Sequence, residues 1–251
     1  IGEGVNLEEF VQNTTVAEVL PSMGEDYYFM LADKSLTIDG AMNFFENNRK
    51  LLIILITKDG KDTGKPLKII SSADIIDMKK ILVVVDMQKD FVDGALGTKE
   101  AVAIVPNVVK KINEFDGKIF VTYDTHFENY METNEGKNLP VEHCIKGTDG
   151  WKLNDEVAAA LSGKDYTEVE KITFGSVKLP ELVKAAAGDE EFTVELIGLC
   201  TDICVVSNAL MLKANFPEMD MFVDSICCAG VTVESHEAAL TTMKMCQIGV
   251  K

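Results

Sequence analysis

Between residues 81 and 250 the chain alternates short apolar runs with amphipathic stretches. ILVVVD (81–86) is a continuous β-branched run, the pattern of a strand covered on both faces. A helical stretch follows at about 101–115, and KIFVTYD (118–124) is the next strand. NDEVAAALSG (154–163) opens on a capping Asn and closes on Gly, which predicts a short helix. TEVEKI (167–172) reads as a strand and KLPELVKAAAG as a helix with Pro in its first turn. FTVELIGL (192–199) is a strand followed by the helix TDICVVSNALMLKA, and MFVDSICC a strand followed by SHEAALTTMKMC. QIGV is a last strand. Strand–helix alternation of this kind predicts α/β architecture: a doubly wound, mostly parallel sheet with helices on both faces.

Residues 1–78 have another rhythm. TVAEVLP enters as an extended-then-helical piece, and SLTIDGAMNFFENN starts a helix after LTID with Ala41, Phe44 and Phe45 on one stripe. LLIILITKDGKDTGKPLKIISSADI then predicts a strand, an Asp-Gly turn, a second strand and a helix start. This order resembles one CBS motif, with Ser71, Ser72 and Asp74 as its closing piece. The resemblance implies a regulatory unit that binds an adenine nucleotide or, more simply, dimerises; the motif usually works in pairs, so a partner chain would supply the second copy. The expected division is 1–78 for this segment and 79–251 for the α/β unit, with the junction near DMKK (77–80).

Composition narrows the partners. There are 251 residues with 41 acids against 24 bases, a net charge of -17. Such a surface repels phosphate backbones and anionic membrane, so neither nucleic acid nor membrane is expected. The longest apolar run, LLIILI, is strand-sized, far short of the roughly 20 residues of a membrane span. The six cysteines (144, 200, 204, 227, 228, 246) are an even count that permits disulfides, but the start, IGEGVNLEEF, has no signal-peptide pattern, so a reduced, cytoplasmic protein is expected; the C-x-x-x-C of Cys200 and Cys204 has no second matching pair and does not read as a zinc knuckle.

Ligands of a doubly wound sheet sit outside the carboxyl ends of its strands. Asp86 closes the first strand, Asp124 and His126 the second and Lys171 the third, while Cys200, Thr201 and Cys204 lie where the fourth meets its helix. If Thr201 caps that helix, Cys204 falls in the first turn, where the dipole and a neighbouring lysine favour the thiolate. Nucleophile, electrostatic activator and base would then stand together. On pattern alone the plainer alternatives hold equal ground or better: Cys204 as a small buried hydrophobe, Asp86 as a turn residue, Lys171 as a solvated lysine.

Five segments shift that balance. VDMQKDFVDGALGT (85–98), the stretch from DTHFENY to LPVEHCIKGTDGW (124–151), EKITFGS (170–176), LIGLCTDICV (196–205) and DSICCAGVTVESHEAAL (224–240) resemble, in order, the signatures of the nicotinamidase/isochorismatase-like cysteine hydrolases. The resemblance implies Asp86, Lys171 and Cys204 as the catalytic set and an oxyanion hole from the backbone N–H groups of Cys200 and Cys204. It also implies a cis peptide at Leu199–Cys200 and hydrolysis of a small amide through a thioester. Phe91 would wall a flat substrate ring; Trp151 and Tyr130 are equally core or interface.

Asp124 and His126 are two apart at a strand end and so point the same way; with His143 they make an open site for zinc or another divalent transition metal. The resemblance implies a fourth ligand, for which Glu135 is the best match and Glu132 the fallback. The alternative is hydrogen bonding of both histidines within the loop. His236, the third histidine, reads as structural or capping. The ligand set points to a nicotinamidase-like amidase. An isochorismatase-like hydrolase of another small substrate and a nucleotide sensor built on the first segment are the rivals, and a homodimer or larger homo-oligomer is expected.

Overall fold

A computed structural model describes residues 29–48, 51–62, 65–71, 79–188 and 190–251. The chain divides into two compact units, Ile1–Asp77 and Met78–Lys251.

In the first unit, β1 (Phe29–Ala32) and β2 (Ile53–Ile56) are parallel, joined through α1 (Ile38–Asn47), and β3 (Lys68–Ser71) pairs antiparallel with β2 across the Asp59–Gly60 turn. The Thr37 hydroxyl caps α1 by accepting from Gly40 N–H. Ala41 is buried and Phe45 packs beside it, but Phe44 is 41% exposed, so the expected three-residue stripe loses its middle member. The entry at TVAEVLP and the closing Ser72 and Asp74 lie outside the described residues. The order of β1, α1, β2 and β3 is as expected, but the likeness to a CBS motif finds no support beyond it.

The second unit is a six-stranded parallel sheet. Its elements are β4 (Lys79–Val85), α2 (Lys89–Val92), α3 (Lys99–Glu114), β5 (Lys118–Asp124), α4 (Asn134–Asn138), α5 (Asp155–Leu161), β6 (Tyr166–Lys171), α6 (Leu179–Ala187), β7 (Phe192–Leu199), α7 (Val206–Asn215), β8 (Met221–Ala229), α8 (Val233–Met245) and β9 (Gly249–Val250). The strand order is β6-β5-β4-β7-β8-β9. The chain therefore winds outward from β4 in one direction, then returns to β7 on its other side, which makes β4/β7 the switch point where such sheets open a crevice.

Strand periodicity explains why β4 is apolar throughout. Leu82 and Val84 enter the core under α3 and α5, whereas Ile81, Val83 and Val85 enter the opposite core under α6, α7 and α8. Local signals set the helix ends. Asn154 accepts from Glu156 and Val157 N–H, Thr98 from Ala101 N–H, and Thr232 with Ser235 forms a capping box. Gly198 lets β7 approach β4: its φ is 113°, and a Cβ there would meet the Val85 backbone. Among the described residues no helix is long and apolar enough to cross a membrane.

Candidate active site

At the carboxyl edge of the sheet, the switch point gathers four elements. Asp86 follows β4 with φ 46°, a left-handed conformation that turns the chain away and aims the carboxylate inward. It is fully buried; Oδ1 accepts the Thr122 hydroxyl at 2.6 Å, and Oδ2 lies 2.7 Å from Lys171 Nζ. Lys171, the last residue of β6, is also 3.1 Å from Asp124 Oδ1 and 3.5 Å from Cys204 Sγ. Lys171 thus touches both the Asp86 carboxylate and the Cys204 thiol and stands between them.

The turn that carries Cys204 differs from expectation. The Leu199–Cys200 peptide is cis, as the resemblance implied. Thr201–Val205 is a π-helical turn in which Val205 N–H reaches the Cys200 carbonyl at 3.0 Å, and Cys200, not Thr201, stands at the cap position. The Thr201 hydroxyl is engaged instead by His236 Nδ1 at 2.8 Å, from α8. The expected lowering of the thiol pKa is reversed too. Burial raises it well above an ordinary thiol and Asp86 adds to the rise; Lys171 opposes both without winning. Burial likewise raises Asp86, with Lys171 pulling against it. For Lys171, burial works against the charge, but Asp86, Cys204 and Asp124 outweigh it and hold the ammonium firmly protonated.

Beside this set, Asp124, His126, Glu135 and His143 offer four ligand atoms within 4.8 Å of one another. His126 Nε2 is 3.0 Å and His143 Nε2 3.6 Å from Asp124 Oδ2, and Glu135 Oε1 is 3.7 and 3.8 Å from the same two nitrogens. A divalent transition ion bonded at about 2.0–2.2 Å holds neighbouring ligands roughly 3.0–3.6 Å apart, so this donor set fits one. His143 Nδ1 donates to the Val141 carbonyl at 2.8 Å, which turns Nε2 toward the cluster. Burial works to raise Asp124, but hydrogen bonds from His126 and His143 and the Lys171 charge overcome it and hold the carboxylate well below its usual range. Its two oxygens link Lys171 to the histidines.

Glu135 joins the cluster from α4, which Thr133 caps, whereas Glu132 sits exposed in the preceding 3₁₀ turn. Tyr130 is fully buried against both histidine rings, at 4.7 and 5.0 Å. Trp151 is half-buried and donates to Thr125 Oγ1. Phe91 packs on His143 and lines a cavity of about 230 Å³ that ends at Cys204. Leu139, Phe174, Ile203 and Val231 form much of the remaining wall, and among the described residues no Lys or Arg lines it. The sequence reading passed over those four residues, which come from four separate stretches of chain, and Thr122. Thr122 was within reach: it lies two positions before Asp124 on β5 and shares its face.

The fold and this cluster define a doubly wound α/β protein with a buried thiol–ammonium–carboxylate site. The chain belongs to the isochorismatase domain family, whose model matches residues 80–250. An uncharacterized isochorismatase family protein, PncA, of Bacillus subtilis (strain 168) is 27% identical over 143 residues, 53% of this chain and 78% of that protein. Among solved structures, the nicotinamidase/pyrazinamidase PncA of Bacillus subtilis superposes with a TM-score of 0.61 at 25% identity, over 69% of this chain and 99% of that one. The pyrazinamidase of Pyrococcus horikoshii in complex with zinc gives 0.59 at 25% identity, over 69% and 98%. The N-carbamoylsarcosine amidase of Thermoplasma acidophilum gives 0.55 at 25% identity, over 69% and 96%.

Proposed function

We propose that this chain hydrolyses a small, uncharged ring amide of the nicotinamide type, with Cys204 as nucleophile, Asp86 as general base and acid, and Lys171 as the charge that holds them. The observation that carries the reading is the contact of Lys171 with both Asp86 and Cys204 at the end of an apolar cavity, beside a four-donor cluster. The resting thiol is protonated, since burial and Asp86 raise its pKa. As Cys204 attacks the amide carbon, its proton passes to Asp86, and Lys171, in reach of both, balances the negative charge in transit. The carbonyl oxygen takes up negative charge against the backbone N–H groups of Cys200 and Cys204, each donor contributing on the order of 3 kcal/mol. Asp86 returns the proton to the departing nitrogen, ammonia leaves, and the acyl group remains on sulfur as a thioester. Asp86 then takes a proton from water as it attacks the thioester and returns that proton to the departing sulfur, which releases the acid and restores the free thiol and the carboxylate.

Asp124, His126, Glu135 and His143 would hold a divalent ion, zinc being the one that suits their mixed nitrogen and oxygen donors. When bound, the ion supplies a positive charge and an open position for a ring nitrogen. Phe91, Phe174 and Leu139 offer apolar surface to a flat ring.

Within the family, the lining argues for a neutral amide over an anionic substrate. Asp124 and Glu135 are the acidic groups facing the cavity, and among the described residues no lysine or arginine lines it to receive a carboxylate. Ammonia release from nicotinamide, run beside release from N-carbamoylsarcosine, tests this. The expected result is turnover of nicotinamide with kcat/KM at least about 100-fold above the anionic amide. Preference for the anionic compound, or no turnover of any neutral ring amide by metal-loaded protein, would overturn it.

A further inference from the structure

The segment that brings in Asp86 carries two more polar side chains at alternate positions, Gln88 and Asp90, and neither lines the cavity. Gln88 is fully buried. Its Oε1 accepts the Asp124 N–H at 2.7 Å, and its Nε2 donates to the Asp124 carbonyl at 2.9 Å and to the Trp151 carbonyl at 2.8 Å. The ladder between β4 and β5 has already ended at Val85 and Thr122. Asp124 is paired with Lys171 on its β6 side. The Gln88 amide takes the place of the missing strand on the other side, so the last residue of β5 keeps strand geometry after its neighbour has turned away.

Asp90 acts on the two nitrogen donors, His126 and His143. Its Oδ2 accepts the Cys144 N–H at 2.7 Å and its Oδ1 the Ala95 N–H at 3.3 Å. Cys144 follows His143 directly and has φ 47°, a left-handed conformation uncommon for a residue with a side chain. Its carbonyl accepts the His126 N–H at 2.9 Å. One residue is thus joined by a peptide bond to His143, by a hydrogen bond to His126, and by a charge-assisted hydrogen bond to Asp90. Gly150 completes the arrangement: a Cβ there would collide with the Asp90 carboxylate.

We infer that Gln88 and Asp90 are positioning residues for the four-donor cluster, Gln88 setting Asp124 and Asp90 setting His126 and His143 through Cys144. This rests on the reading of that cluster as a metal site. The consequence is that the stretch supplying Asp86 to the thiol also holds three of the four ligands in register with it.

Cobalt(II) titration of the purified full chain, followed by visible absorption, tests the assignment. Loss of such an outer partner typically weakens metal binding about 10–100-fold. That loss, with an altered ligand-field spectrum, is expected for Gln88→Met, Asp90→Ala and Gly150→Ala. Asp90→Asn, which keeps an acceptor for Cys144 N–H, recovers part of the affinity. Trp151→Phe removes a hydrogen bond to neighbouring Thr125 but none to the ligands, and should bind cobalt as the parent does. Thermal melting of each metal-free variant separates loss of binding from loss of folding, and Asp90→Asn and Gly150→Ala are the mild changes should the others unfold. Folded variants that bind cobalt with the parental affinity and spectrum would overturn the inference. A parent protein that binds no cobalt at all would instead remove the metal reading beneath it.

Discussion

The protonation of Asp86 and Cys204 is governed by burial more than by the lysine between them. Both groups are raised, the thiol well above its usual range and the carboxyl above the ordinary 3.8. The sign for catalysis follows. The carboxylate must be free to accept the thiol proton, so activity falls as pH drops through the Asp86 pKa, and a raised pKa moves that loss to higher pH. The acid limb of kcat/KM is therefore expected to bend above pH 3.8, and a limb centred at or below that value would contradict the assignment. The direction of the thiol shift was not legible in the sequence. A helix start and a nearby lysine argue for a lowered pKa, but the burial that outweighs them is a property of the packed sheet edge. The gathering of Asp86, Asp124, Lys171 and Cys204 at one sheet edge was legible because each ends or follows a strand, whereas the roles proposed for them came from the family resemblance. Glu135 and Glu132 could not be separated by spacing. What separates them is a Thr133-capped helix of five residues turning one inward.

At the level of elements, the strands of the second unit lie where apolar runs predicted them, with the β5 and β7 ranges unchanged by the structure. Runs covered on both faces leave little choice of state, and Asn154, Thr98 and Thr232 mark helix starts with side chains that close the first turn. The turn holding Cys204 was misread for a reason outside any local window. The Thr201 hydroxyl that would have capped the helix is engaged by His236, 35 residues further on. A glycine sets the geometry just before it. Gly198→Ala should destabilise the fold by about 1–3 kcal/mol, since its φ of 113° is strained for alanine and the added methyl meets the Val85 backbone. A urea midpoint unchanged from the parent would contradict that account of how β7 approaches β4.

Across the whole molecule, among the described residues, the two cores that flank the six-stranded sheet take their buried residues from positions 81–248, and those of the small sheet from 29–56. A chain begun at Met78 is therefore expected to fold by itself, with near-UV circular dichroism of its Trp151 environment and amide turnover within about twofold of the full chain. Loss of folding in that fragment would show that the first unit is structurally required. Strand alternation announced a parallel sheet with two covered faces, but not the order β6-β5-β4-β7-β8-β9, because neighbours in a sheet are chosen by crossover handedness and pairing, which leave no local mark. That order is what brings Asp86 and Cys204, more than 100 residues apart, to one crevice.

The claim on which everything else depends is that Cys204 carries the acyl group. Acid-quenched protein taken during steady turnover of nicotinamide and digested for mass spectrometry reads it directly. The account predicts a nicotinoyl adduct on the peptide containing Cys204, absent without substrate and absent in Cys204→Ala, which should also release no ammonia. Ammonia release that persists in Cys204→Ala, or an adduct on Cys200 in its place, would contradict it.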